Sequence, residues 1–220
     1  METSTQSEFY QWLYDRLYAT GYHQDETMSH TIPVLKLLDP VLQYTSALDV
    51  GCSIGNAVKF LSNFGIPTQG VDISAVAIET ARKRNLPCQV SCATKLPFGD
   101  GSFDLVISTD VLEHLVEQDI PVALREMTRV SKKYVVFKPS PRAEVNRTPL
   151  AVAKERFPEL ESIEQLHLTV RPIEWYMLQM KPIAEEFGFV PYVRHEHVFS
   201  YAKKEALEEL QRDISQQKKG

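Results

Sequence analysis

Five residues in the first quarter of the chain, Gly51-Cys52-Ser53-Ile54-Gly55, combine two glycines with small polar side chains. They follow the apolar run ALDV and precede NAVKFLSNFG, a helical pattern closed by Gly65. The sequence therefore predicts a buried strand, a tight turn and a helix. Glycines let such a turn approach a ligand closely, and the amide-rich start of the following helix favours a carboxylate.

An acidic residue, Asp72, closes the next apolar run about twenty residues after the turn, and we expect it at the surface of a cleft. In nucleotide-binding sheets, an acid at this spacing accepts hydrogen bonds from ribose hydroxyls. The alternative is a helix N-cap or a solvated loop acid. The turn and the acid together predict a ligand that contains adenosine.

Two other enzyme classes use similar turns. A nicotinamide fingerprint needs G-x-G-x-x-G, but Ser53 occupies the position of the middle glycine and Asn56 follows Gly55. An esterase elbow, G-x-S-x-G, fits GCSIG literally, yet such an elbow follows several strands of its sheet. Only about fifty residues, mostly helical in pattern, precede this one. We therefore predict that Ser53 is a cofactor-turn residue and not a nucleophile.

The composition limits the classes of partner. The 220 residues carry 24 basic and 29 acidic side chains, a formal charge of −5, which provides no general attraction for nucleic acid or anionic lipid. No apolar stretch approaches the ~20 residues that span a bilayer, and the N-terminus lacks the layout of a signal peptide. We expect a cytoplasmic protein with no membrane partner, for which nucleic acid is a disfavoured ligand.

Strands and helices alternate along the chain. Apolar runs typical of strands lie at 47–50, 71–73, 88–92, 103–108 and 134–137, helical patterns separate most of them, and two more strands are expected within 189–203. Such alternation implies βαβ units. We predict an α/β fold with a doubly wound, mostly parallel, seven-stranded sheet and helices on both faces.

Other helices complete the predicted organisation. An aromatic helix covers Phe9–Tyr18, and a second helix begins with Thr31 as its N-cap. Another starts at VLEHL, and one near Ile173–Phe187 ends at Gly188. We expect a single domain, 1–220, with four parts: an N-terminal helical lid (1–45), a cofactor-binding half (46–138), a substrate-side half (139–203) and a helical tail (204–220).

Four linked motifs resemble those of the class I S-adenosylmethionine-dependent methyltransferases, in particular the small-molecule branch. They are ALDVGCSIG, GVDIS, LPFGDGSFDLVISTDVLEHL and HLTVRPIEWYMLQMKPIAEEFGF, and they occur in the family's order from about Ser46 to Phe189. The resemblance implies a Rossmann-like methyltransferase fold and S-adenosylmethionine as cofactor. It implies the transfer of a methyl group to a small-molecule acceptor.

The resemblance also implies which residues bind the cofactor. Residues of the first motif would hold the methionine end, Asp72 the ribose and Ile73 the adenine, while Ala93 and Thr94 would line the adenine edge. Asp110 would face both cofactor and acceptor. Cys92 stands where the family often has an Asp that contacts adenine, which removes one contact. The predicted cofactor-binding set is therefore Asp49, Gly51, Cys52, Ser53, Gly55, Asp72, Ile73, Ala93, Thr94 and Asp110.

Methyl transfer is an in-line displacement that alignment in a dry pocket accelerates, and a base is needed only when the acceptor must lose a proton. The candidates for that base are Asp110, His114 and His167, with Glu113 beside them. Asp110 and Glu113 also have the D-x-x-E spacing of a helix capping box. His114 has the alternative of a buried structural histidine.

The sequence Asp110-Val111-Leu112-Glu113-His114 resembles the E-x-x-E-H element with which ubiquinone-pathway O-methyltransferases and small-RNA 2′-O-methyltransferases hold a divalent metal. Asp replaces the first Glu, and VLEHL also occurs in metal-free relatives. We therefore expect activity without a metal, with a metal-assisted O-methyltransferase that acts on a quinol or on RNA as the alternative. A cofactor-binding partner subunit without catalysis is a further alternative.

Basic residues cluster after the fifth predicted strand, where the family usually builds its acceptor pocket. They could bind a carboxylate or phosphate of the acceptor. Glu144 and Glu155 lie among them, which is equally typical of a solvated face. The basic residues are Lys138, Arg142, Arg147, Lys154 and Arg156.

Overall fold

A seven-stranded sheet forms the centre of the computed structural model, which describes residues 3–39, 41–143 and 148–217. The strand order is β3-β2-β1-β4-β5-β7-β6. The strands are β1 (Ala47–Val50), β2 (Thr68–Asp72), β3 (Cys88–Val90), β4 (Phe103–Thr109), β5 (Ser131–Lys138), β6 (Phe189–His195) and β7 (Val198–Lys203).

The first five strands are parallel to one another, and β7 pairs antiparallel with both β5 and β6. Strand order reverses between β1 and β4, which pair with Asp49 opposite Ile107. The crevice beyond the carboxyl ends of two such strands is where open sheets bind ligands. The predicted fold class is confirmed.

Helices cover both faces of the sheet. Alternate residues of β4 point to opposite sides: Val106 packs with residues of α5 and α7, whereas Leu105 and Ile107 pack with residues of α2 and α3. The helices are α1 (Thr3–Tyr18), α2 (Thr31–Leu38), α3 (Asn56–Asn63), α4 (Ala75–Lys83), α5 (Ile120–Val130), α6 (Thr148–Arg156), α7 (Ile173–Phe187) and α8 (Lys204–Gln217). None of the helices in the described residues is long and apolar enough to cross a membrane.

The helix predicted to start at VLEHL is instead a single 3₁₀ turn, Leu112–His114. Asp110 has a φ of +52° and its side chain contacts His30 and Lys138, so the alternative of a capping box does not apply. Glu113 accepts a hydrogen bond from the Ser140 amide, 27 residues further along the chain. The prediction of a helix here was wrong because contacts with distant residues set the conformation.

The N-cap predicted for α2 was also wrong. Thr31 is the first residue of the helix, and the Ser29 hydroxyl accepts hydrogen bonds from the amides of Thr31 and Ile32. The Thr31 hydroxyl lies 2.7 Å from the Thr109 hydroxyl at the end of β4. This contact fixes the start of α2 at the carboxyl edge of the sheet.

The aromatic helix α1 packs across the carboxyl edge of the sheet. Asp15 accepts hydrogen bonds from the Ser74 hydroxyl (2.7 Å) and the Val76 amide (3.2 Å), which ties α1 to the start of α4. The Tyr10 hydroxyl donates to Asp119 just before α5. These bonds attach both halves of α1 above the strand ends.

Candidate functional site

The turn after β1 folds tightly because glycine occupies two demanding positions. Gly51 and Gly55 have φ values of +83° and +82°. A Cβ atom on Gly51 would lie only 2.1 Å from Val111 Cγ2, so a side chain would not fit without rearrangement. The amides of Gly51 and Cys52 both donate to the Val71 carbonyl, which joins the ends of β1 and β2.

Asp49 supplies a buried carboxylate beneath this turn. Its Oδ1 atom is buried and has no hydrogen-bond partner among the described residues. Burial raises the pKa of Asp49 to about 7, and the charge of Asp72 adds to the rise. A hydrogen bond from the Thr31 side chain opposes this rise. A buried carboxylate oxygen without a partner is costly, and a cationic ligand group would relieve that cost.

Asp72 is buried at the end of β2, beside the cavity, and not exposed at the surface of a cleft as predicted. Its two oxygens accept hydrogen bonds of 2.9 Å from the backbone amides of Ser53 and Ser74. Burial raises the pKa of Asp72 to about 6, although these bonds oppose the rise. The carboxylate thus holds the turn after β1 against the start of α4.

A cavity of about 1070 Å³ lies beyond the strand ends and connects these acids with a group of histidines. Gly55 and Thr94 do not line it. Gly55 donates to the Cys52 carbonyl and accepts from the Lys59 amide, so it shapes the turn and α3. The predicted cofactor-binding residues that do line the cavity are Asp49, Gly51, Cys52, Ser53, Asp72, Ile73, Ala93 and Asp110.

Asp110 is held by two charged or polar partners that the sequence did not indicate. His30 Nδ1 lies 2.6 Å from one carboxylate oxygen, and Lys138 Nζ lies 2.7 and 2.8 Å from the two oxygens. Burial disfavours the charged carboxylate, but the hydrogen bonds from His30 and Lys138 outweigh it and lower the pKa of Asp110 to about 2. Asp110 is therefore a poor proton acceptor at neutral pH.

The other two predicted catalytic residues, His114 and His167, both line the cavity and lie next to each other. The rings of His114 and His167 are 4.8 Å apart and nearly perpendicular. His114 Nδ1 lies 3.1 Å from the Leu166 carbonyl, and His167 Nδ1 lies 2.7 Å from the Arg142 carbonyl. Burial lowers the pKa of His114 to about 4, with His167 contributing, so His114 is neutral at neutral pH.

Glu113 completes a group that we call the histidine–glutamate cluster (Glu113, His114 and His167). One potential ligand atom from each residue lies within 4.8 Å of the others. Glu113 is fully buried, its Oε1 accepts from the Ser140 amide, and its Oε2 has no partner among the described residues. Burial, together with the charge of Asp110, raises the pKa of Glu113 to about 8.

The predicted basic cluster does not act as one surface. Lys138 lines the cavity, whereas Arg142, Lys154 and Arg156 are not part of its lining. Arg156 donates to the Ala19 carbonyl. Arg147 and Glu144 lie outside the described residues.

Comparisons with known proteins agree with this architecture. Residues 48–137 match the family model of a methyltransferase domain. Norajmaline N-methyltransferase of Rauvolfia serpentina is 31% identical over 102 residues, which are 42% of this chain and 34% of that protein. Probable tRNA methyltransferase 9B of Bos taurus is 36% identical over 83 residues, which are 37% of this chain and 18% of that protein. The matched part of the chain thus spans 34% and 18% of the length of these two relatives.

A solved structure resembles most of the chain. The crystal structure of magnesium protoporphyrin IX methyltransferase from Synechocystis PCC 6803 with bound SAH has a TM-score of 0.59 at 16% identity, covering 93% of this chain and 100% of that one. The fold, the turn after β1 and the family match define a Rossmann-like methyltransferase. Residues 48–137 thus match a methyltransferase domain, and the matched sequences and structures support a class I S-adenosylmethionine-dependent methyltransferase with S-adenosylmethionine as its cofactor.

Proposed function

We propose that this protein transfers the methyl group of S-adenosylmethionine to a small-molecule acceptor by in-line displacement at the methyl carbon. The observation that carries the proposal is one cavity that is lined both by residues of the cofactor turn and by the histidine–glutamate cluster. Such a cavity would bring cofactor and acceptor side by side. Alignment of this kind is the largest contribution a methyltransferase needs to supply.

The residues at the sheet end of the cavity fit the cofactor. The unpartnered Asp49 oxygen would face the cationic methionine end, beside the glycine turn that leaves room for it. Asp72 would accept hydrogen bonds from the ribose, and Ile73 and Ala93 would pack against adenine. The cofactor supplies an activated methyl group, and the chain supplies the binding surface and the alignment.

The size of the cavity favours a small acceptor. Small-molecule sites usually measure about 300–1000 Å³, so this cavity can hold the cofactor and leave room for a second ligand of modest size. Tyr10, Tyr14 and Tyr18 of α1 line the cavity, which supports the proposed lid formed by residues 1–45. A covered site excludes water and strengthens the alignment of the reacting groups.

An acceptor that must lose a proton would meet the two histidines. In each ring, Nδ1 faces a backbone carbonyl and so carries the proton, which leaves a lone pair on Nε2. Asp110, with its low pKa, is better suited to fixing Lys138 and His30 at the acceptor side. His114, with its pKa lowered to about 4, is also a poor proton acceptor at neutral pH. We therefore assign proton transfer to His167 and a positioning role to Asp110.

An RNA acceptor is the main competing proposal, because one relative carries the name of a probable tRNA methyltransferase. The formal charge of −5 argues against it, since RNA binding depends on cationic side chains. A cytoplasmic location, expected from the sequence, remains a prediction.

The direct test is the formation of S-adenosylhomocysteine from S-adenosylmethionine in the presence of separate pools of small phenols, amines and carboxylates, or of total tRNA. We expect turnover with a small-molecule pool and none with tRNA. Turnover with tRNA alone would overturn the acceptor class. Cofactor binding by calorimetry without turnover in any pool would indicate the non-catalytic alternative.

A further inference from the structure

The histidine–glutamate cluster has the composition of a metal site. It offers two imidazoles and one carboxylate whose potential ligand atoms lie within 4.8 Å of one another. The Glu113 Oε2 atom is fully buried and has no partner among the described residues. A buried carboxylate oxygen normally has a hydrogen-bond donor or a cation as its partner.

Both histidines are oriented as metal-binding histidines usually are. Each directs Nδ1 at a backbone carbonyl, that of Leu166 for His114 and that of Arg142 for His167. A bond of this kind fixes the tautomer, orients the ring and leaves Nε2 available to a metal. The cluster therefore contains both the candidate metal ligands and the hydrogen bonds that orient the two histidine ligands.

The backbone also holds the three residues together. The Thr169 amide donates to the Glu113 carbonyl at 2.9 Å, and the Thr169 hydroxyl donates to the Leu115 carbonyl at 2.7 Å. These bonds dock the segment that carries His167 on the turn that carries Glu113 and His114. A cation about 2.1 Å from each ligand would require the ligand atoms to close to about 3.4 Å, a small side-chain movement.

Asp110 is excluded from this ligand set. Its two oxygens already contact His30 and Lys138, so a cation there would have to compete with the lysine ammonium. Of the D-x-x-E-H sequence, only the last two residues, Glu113 and His114, thus belong to the cluster. His167 supplies the third ligand from a segment 53 residues beyond His114.

We propose that Glu113, His114 and His167 bind one divalent transition-metal ion at the acceptor side of the cavity. A mixed imidazole and carboxylate set favours ions such as Zn²⁺, Co²⁺ or Fe²⁺ over Mg²⁺ and Ca²⁺. This proposal rests on the proposed methyl transfer and replaces the expectation of metal-free activity. In this proposal both histidines are ligands of an ion that would position an oxygen-bearing acceptor, and His167 does not serve as the proton acceptor.

The test is a titration of the metal-free protein with Co²⁺, followed by visible absorption and calorimetry without cofactor. We expect one ion per chain and a ligand-field spectrum. Glu113→Gln and His167→Ala should each weaken Co²⁺ binding by at least ~10-fold. His23→Ala is the matched control, because His23 lines the same cavity outside the cluster, and it should bind Co²⁺ as the parent protein does.

Thermal melts and titration with S-adenosylhomocysteine separate the possible outcomes. Glu113→Gln and His167→Ala should bind S-adenosylhomocysteine within about threefold of the parent, since neither residue belongs to the proposed cofactor-binding set. Equal Co²⁺ affinity in the parent and in these folded variants would overturn the metal site. If the parent protein itself does not bind S-adenosylhomocysteine, that result would instead contradict the proposed function.

Discussion

The backbone amide of Ser53 donates a hydrogen bond of 2.9 Å to the carboxylate of Asp72, so the cofactor turn and the second strand share one buried acid. The other carboxylate oxygen accepts from the Ser74 amide at the start of α4. Asp72 is therefore not the N-cap of α4, because Ser74 caps that helix by accepting from the Ala77 amide. Asp72 instead holds the cap residue and the cofactor turn together, and the proposed contact with the ribose would add to this role.

Replacing Asp72 with Ala should therefore affect affinity and stability together. We expect S-adenosylhomocysteine to bind at least ~10-fold more weakly, because charge-assisted bonds to the ribose of about 1.5–3 kcal/mol each are lost. The free energy of unfolding should fall by about 1–3 kcal/mol, because two backbone amides lose their acceptor. Calorimetric titration and denaturant unfolding measure the two effects.

Asp72→Asn provides the control, since its amide oxygen can still accept from one backbone N–H. It should recover part of the stability and little of the affinity. An Asp72→Ala protein that is destabilised but binds S-adenosylhomocysteine normally would limit Asp72 to holding the Ser53 and Ser74 amides and contradict the adenosine site.

Ser53 should act as a residue of the cofactor turn and not as a nucleophile. It has a φ of +52°, a conformation that glycine adopts without strain, and it occupies the position of the middle glycine in the turn. We expect Ser53→Gly to fold and to bind S-adenosylhomocysteine within about threefold of the parent. A serine-directed phosphonate should not label the parent protein, and mass spectrometric detection of a Ser53 adduct would overturn this assignment.

The sequence predicts the sheet, the cofactor turn and Asp72 because these features depend on residues close together in the chain. Contacts between distant residues escaped it. Asp110 meets His30 across 80 positions, and Glu113 meets the Ser140 amide across 27. No local pattern marks such pairs, so the helix predicted there was wrong, and the alternative of a capping box does not apply. His167 was a candidate by residue type, and only the fold places it beside His114.

Asp15 should control how firmly α1 covers the cofactor. Its carboxylate accepts from the Ser74 hydroxyl and the Val76 amide, which attaches α1 to α4 beside Asp72. Asp15→Ala should raise the dissociation rate of S-adenosylhomocysteine several-fold and lower the free energy of unfolding by about 1 kcal/mol. Stopped-flow displacement measures the rate.

Asp25→Ala, which removes a carboxylate from the surface, should leave the dissociation rate unchanged. If Asp15→Ala releases S-adenosylhomocysteine at the same rate as the parent protein, the attachment of α1 by Asp15 does not control the release.

Asp49 should make cofactor affinity depend on pH. Burial raises its pKa to about 7 in the ligand-free protein, whereas an unfolded aspartate has a pKa near 3.8. S-adenosylmethionine should bind best when Asp49 is ionised, because its cationic methionine end would face the carboxylate. The dissociation constant should therefore fall roughly 10-fold between pH 6 and pH 8, with proton release on binding near pH 6.

The stability of the ligand-free protein should change in the opposite direction. A raised pKa means that, between pH 3.8 and about 7, the folded state holds a proton which the unfolded state has lost. The contribution of Asp49 to the free energy of unfolding is therefore fully present below pH 3.8 and is lost as pH rises through about 7. Asp49→Asn should remove this part of the pH dependence of unfolding and flatten the pH dependence of S-adenosylmethionine binding above pH 6. Calorimetry in buffers of different ionisation enthalpy measures the released proton. Binding by Asp49→Asn that keeps the parent pH profile would show that another group titrates with the cofactor.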